Sequence, residues 1–144
     1  MIVSIVIMIF VILELFNVLA LYFKPDFDKA NAMGPFKQWK EYENEPIADL
    51  LHYMAYWVAG SKLIFIFLLL IIISFGTAEL QIISLVGLVI AILSYFWKLS
   101  PLMHKMDKDG HIIPTGYSKT LDSMIIIFVA SLSVAGLLQF FFYW

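Results

Sequence analysis

Four long apolar runs leave this chain few ways to fold: residues 1–23, 47–75, 80–97 and 121–144. A helix rises 1.5 Å per residue, so roughly 20 apolar residues cross about 30 Å of hydrocarbon. Three of the runs have about that length. The run 47–75 is longer, and its first part carries Asp49, His52, Tyr53 and Tyr56. That part is expected in or above the headgroup layer, with the crossing itself over 53–75. Open sheet edges have no place in lipid, so strands are excluded. Hydrophobic residues make up 62% of the chain and charged residues 14%. A soluble domain of this size could not bury such an excess. The expected fold class is all-α membrane: one membrane domain over 1–144, an antiparallel four-transmembrane-helix bundle. Its spans are 1–23, 53–75, 80–97 and 121–144, and its long loops are 24–46 and 98–120.

The first run has the length of a span and lacks both a basic start and a small-residue cleavage site. It is therefore expected to be a mature helix rather than a secretory leader. Lysines set the orientation. Loop 24–46 holds Lys24, Lys29, Lys37 and Lys40, and loop 98–120 holds Lys98, Lys105, Lys108 and Lys119. The short connection at Gly76 holds none. Lysine in short loops marks the cytoplasmic side. The expectation is a cell-membrane protein with both loops cytoplasmic and both termini outside.

All nine basic residues are lysines. Without arginine there is no bidentate phosphate clamp, and no nucleic-acid partner is expected. Without cysteine there are no disulfides, thiolate metal sites or thiol redox chemistry. No phosphate-cradling glycine loop, HExxH or nucleophile elbow is present, and no cofactor or metal is expected.

The most telling residues are polar ones inside spans. Glu14 and Asn17 lie three apart on one face of the first helix. A carboxylate at such depth costs on the order of 2.5–3.5 kcal/mol, which makes it a functional candidate. Lys62 in the second span sits at matching depth, roughly 13 Å from the lysine-rich edge by helix rise. A buried Glu14–Lys62 ion pair follows, with Asn17 hydrogen-bonded to it. Such a pair can fix helix register, line an ion or proton path, or be absent if Lys62 snorkels to the interface.

Asp49, His52 and Tyr56 share a face by their three-then-four spacing. This reads as a hydrated interfacial face, or as half of an acid–base or metal pair awaiting His104 or His111. In the first loop Phe36, Trp39 and Tyr42 recur every third residue, which predicts a short interfacial helix anchored by aromatics. In the second loop, Asp107-Lys108-Asp109-Gly110 is read as a turn rather than a calcium loop, and Asp-Gly predicts a small hairpin. Thr120 is expected to cap the fourth helix, with Asp122 in its first turn. Ser84, Gly87, Ala91 and Ser94 form a small-residue stripe suited to close helix packing. Ala55/Ala59 and Ser131/Ala135 are shorter versions.

In span count and in its first-helix carboxylate the chain is similar to the small multidrug-resistance transporters. It departs from them in its two long loops, and no family follows. Three function classes fit the residues. The leading one is a non-enzymatic subunit, scaffold or accessory factor, whose partners are membrane lipids, other copies of itself or another membrane protein. The second is an oligomeric ion- or proton-coupled transporter or channel using Glu14, Asn17 and Lys62. The third is an interfacial lipid-modifying enzyme using Asp49 and His52.

Overall fold

A computed structural model of the chain describes residues 2–27 and 32–143. Met1, Lys29 and Trp144, which entered the span and topology expectations, lie outside the described residues. The described residues are helical with no strand. In order they form α1 (Ile2–Phe23), α2 (Lys37–Glu41), α3 (Ile47–Phe75), α4 (Ala78–Leu93), α5 (Tyr95–Lys108) and α6 (Tyr117–Tyr143). Four stretches are long and apolar enough to cross a membrane: α1, α3, α4 continued by α5, and α6. Large side chains such as Phe67, Phe75, Trp97 and Phe141 are exposed around them. Water would not tolerate that surface, and lipid does. The chain is an integral membrane protein.

The most extensive interface joins α1 to α3. On α1 the inward residues Val3, Ile7, Phe10, Glu14, Asn17 and Leu21 recur at alternating spacings of four and three. On α3 the sequence Ala48, His52, Ala55, Ala59, Lys62, Ile66, Leu69 does the same. This is the seam of a coiled coil, with small residues on α3 letting the backbones approach. Ala59 is fully buried and Ala55 nearly so. Phe10 holds the centre, edge-on to Phe65 of α3 and Phe128 of α6 at 6.1 and 5.9 Å. α4 lies against α6 through Leu85 and Leu88. A β-carbon at Gly136 would stand 2.7 Å from Leu85 Cδ2, so the missing side chain keeps these two helices close.

The ends are tied separately. At one, Gln139 Oε1 of α6 accepts from Val3 N at 2.8 Å, and Ser4 Oγ bonds Gln81 Oε1 of α4 at 2.6 Å. Gln81 Nε2 donates to the carbonyls of Ile73 and Gly76, closing the α3–α4 turn. At the other end the two long loops meet in a bridge between Phe36 and Ile112. Lys37 N donates to His111 O at 3.0 Å, and Ile113 N to Pro35 O at 2.8 Å.

Loop 98–120 differs from its expectation. α5 runs through Pro101 to Lys108, so the first half of the loop is helix. Asp109-Gly110 makes no hairpin. Gly110 (φ 74°) closes α5 with His111 N on Met106 O at 2.8 Å and Gly110 N on Asp107 O at 3.1 Å. That is a Schellman cap, and glycine's left-handed freedom serves it as well as it serves a hairpin turn. α6 begins at Tyr117, so Thr120 lies inside the helix. Its hydroxyl turns back toward Gly116 O instead of capping. The run 47–75 is one unbroken helix, about 43 Å long by helix rise.

Candidate functional site

Two groups of polar side chains lie between the helices. The first is in the α1–α3 seam. Lys62 Nζ is 2.6 Å from Glu14 Oε2, with about a fifth of each side chain exposed. Asn17 is half-buried one step along the same seam. The pair sits midway along α1, where neither charge reaches the end of its helix. Lys62 also lines two cavities on the flanks of α3. One, of about 350 Å³, is walled by Trp57, Val58, Ser61 and Phe65. The other, of about 290 Å³, runs to Met33 and Phe36 of the first loop and to Leu99 of α5.

The second group joins α5 to α6. His104 Nε2 is 2.7 Å from Asp122 Oδ2. Tyr95 and Ser100 donate to Asp122 Oδ1 at 2.8 and 3.0 Å. Ser118 Oγ is 3.2 Å from His104 Nδ1 and donates to Asp107 Oδ2 at 2.6 Å. Asp107 also accepts the backbone N–H groups of Gly116 and Ser118 at 2.9 and 3.1 Å. It thereby caps α6 from another helix. The Ser118 hydroxyl and these two N–H groups thus converge on one carboxylate.

Serine, histidine and aspartate in contact invite comparison with a nucleophilic triad. The geometry argues otherwise. Ser118 has one hydroxyl proton, and Asp107 takes it. What Ser118 offers His104 is a lone pair, not the proton that a base in a triad would take from it. Ser118 is also only 2% exposed, out of reach of a substrate. The group is a clasp between two helices.

Of the residues expected on the interfacial face of α3, His52 and Tyr56 are neighbours, with ring centroids 6.0 Å apart. His52 lies against the Trp39 ring at 4.6 Å, and its Nδ1 faces Ala48 O of its own helix at 2.8 Å. Tyr56 stacks on Tyr22 of α1 at 5.7 Å. Asp49 is exposed, and His104 belongs to the α5–α6 clasp, so the structure does not gather them with His52. Trp39 is buried and donates from its indole to Asp26, and Phe36 packs inward; only Tyr42 of the three aromatics is exposed. The stripe on α4 faces away from the bundle: Gly87, Ala91 and Ser94 are exposed, and a β-carbon on Gly87 would meet nothing within 4 Å. The packed face of α4 is Gln81, Leu85 and Leu88.

The clasp had a signal in the sequence. Ser100, His104 and Asp107 are spaced four and three, and Ser118 and Asp122 four apart, which puts each set on one helix face. Reading 98–120 as loop hid it.

The chain matches no known family model, and neither curated proteins nor solved structures show a similar protein.

Two outcomes follow. Glu14→Leu and Lys62→Leu should each destabilise the fold by about 3 kcal/mol, because each leaves a lone buried charge. The double variant should return to within about 1 kcal/mol of the parent. Equilibrium unfolding in mixed micelles measures this, and additive losses would show that the charges do not act as a pair. Asp107→Asn weakens the acceptor of the Gly116 and Ser118 amides, so their exchange protection, each rate divided by the unprotected rate at the same pH, should fall about ten-fold, the equivalent of roughly 1.4 kcal/mol of capping. Protection equal to the parent's would show that Asp107 does not cap α6.

Proposed function

We propose that the protein is a non-enzymatic membrane subunit or scaffold that receives another transmembrane helix on the outer face of α4. In this reading it is an antiparallel four-helix bundle with both termini outside. The lysine-bearing loops, bridged at Phe36 and Ile112, lie in the cytoplasm with α2 at the interface. Lysine bias supports that orientation, since Lys24, Lys37, Lys40, Lys98, Lys105, Lys108 and Lys119 all fall at the bridged end or on the segments leading to it.

The observation that carries the reading is the outward stripe. Small residues cost a helix packing area unless a backbone comes close, and in lipid close approach is the main source of helix–helix attraction. Gly87, Ala91 and Ser94 are exposed and Ser84 is half-buried, while the buried residues of α4 are Gln81, Leu85 and Leu88. A partner helix, from a second copy or another membrane protein, would use the stripe. Gly87→Leu should then leave unfolding of the isolated chain unchanged and weaken assembly at least about ten-fold, the equivalent of roughly 1.4 kcal/mol. Because the chain has no cysteine, Ala91→Cys provides a single crosslinking handle. An assembly state in Gly87→Leu identical to that of the parent would refute the reading.

A second reading has one observation in its favour. Lys62, paired with Glu14, lines a pocket of about 290 Å³ that reaches the first loop and α5, the arrangement a coupled transporter could use with Asn17 nearby. Glu14→Gln reconstituted in proteoliposomes should then fold and lose ion or proton flux. Unaltered flux would dismiss it.

A further inference from the structure

We propose that the cleft between the two long loops holds the phosphate of an anionic phospholipid. The cleft has a volume of about 460 Å³, and Phe36, Lys37, Lys40, Glu41, Ile113 and Pro114 line it. It exists only because the loops bridge: Lys37 N is tied to His111 O, and Ile113 N to Pro35 O. The two lysines lie three apart on α2, so they rise on one side of it. The opposite wall is apolar, and Ile113 is more than half exposed there.

Two lysines and an apolar wall lining one cleft suit an amphiphile better than a free ion. The phosphate would sit at the lysines, and the glycerol backbone and first acyl carbons would lie along Phe36, Ile113 and Pro114. Glu41 can accept a hydrogen bond from the hydroxyls of a headgroup such as phosphatidylglycerol. The position agrees with this. α2 precedes α3 by a short connection, and the first part of α3 carries the Asp49, His52 and Tyr56 positions expected at the headgroup layer. A lysine near a membrane surface strengthens anionic-lipid binding by about five-fold each. The proposal is independent of the α4 docking face.

The test uses the full chain in phosphatidylcholine nanodiscs doped with increasing phosphatidylglycerol, with retained lipid read by native mass spectrometry. The double variant Lys37→Gln/Lys40→Gln should weaken phosphatidylglycerol retention on the order of 25-fold. Lys105→Gln/Lys108→Gln removes the same charge from the exposed end of α5 and should stay near the parent. Ile113→Trp keeps both ammonium groups but fills the cleft, and it should also lose the lipid; it carries the test if the lysine variant fails to fold. Equal losses in the two lysine pairs would mean diffuse surface charge and overturn the proposal. So would equal retention of phosphatidylcholine. Displacement by millimolar inorganic phosphate would overturn it in favour of a soluble phosphate ligand.

Discussion

The packing of α1 on α3 is governed by where two opposite charges can meet inside hydrocarbon. Apolar side chains gain nothing from leaving lipid for each other, so greasy helices slide and rotate at little cost. Glu14 and Lys62 remove that freedom. A shift of one residue along the seam would turn one partner toward lipid and leave its charge without a counterion. The alanines at 55 and 59 work in the same direction, since buried small side chains let α1 lie close against α3. Phe10 then meets Phe65 and Phe128 as a result of that register, which carries the constraint from α3 through α1 to α6.

Other polar side chains follow a matching economy. Those between helices bond across to a neighbour: Gln81 and Gln139 at the turn end, and Asp107, Ser118, His104 and Asp122 at the loop end. Three outward-facing serines satisfy themselves within their own helix. Ser94 bonds Ala91 O, Ser123 bonds Lys119 O and Ser131 bonds Ile127 O. A hydroxyl folded back on its own helix costs little in an apolar medium. The bundle is thus pinned by cross-helix polar contacts at three levels, while its outer surface stays compatible with lipid.

Spans were legible in the sequence because lipid imposes one length on every crossing, and 1–23, 47–75, 80–97 and 121–144 all meet it. The Glu14–Lys62 juxtaposition was legible for a related reason: depth can be counted from the ends of spans. Burial direction in short elements could not be counted in this way. The three-residue spacing of Phe36, Trp39 and Tyr42 marks a common side of a helix, yet nothing in it says whether lipid or protein covers that side. Trp39 went inward because Asp26 offers its indole an acceptor and His52 offers its face a ring. Asp109-Gly110 was ambiguous for the opposite reason, as one glycine conformation closes both hairpins and helices. α5 continues through Pro101, since proline inside a helix removes one hydrogen bond without forcing a stop.

The bridge of Phe36 to Ile112 has a consequence for how the chain is made. Its two strands of backbone come from opposite sides of the α3–α4 turn, so the first loop cannot reach its final shape when α1 and α3 enter the membrane. It must wait, unsealed, until α4, α5 and the segment after Gly110 have been synthesised. During that interval Pro35 O and Lys37 N lack the partners that Ile113 N and His111 O later supply. The protein therefore matures from its latest-made residues backward: the last loop completes the first, and a nascent chain lacking residues beyond Gly110 carries inserted helices but no finished loop-side surface.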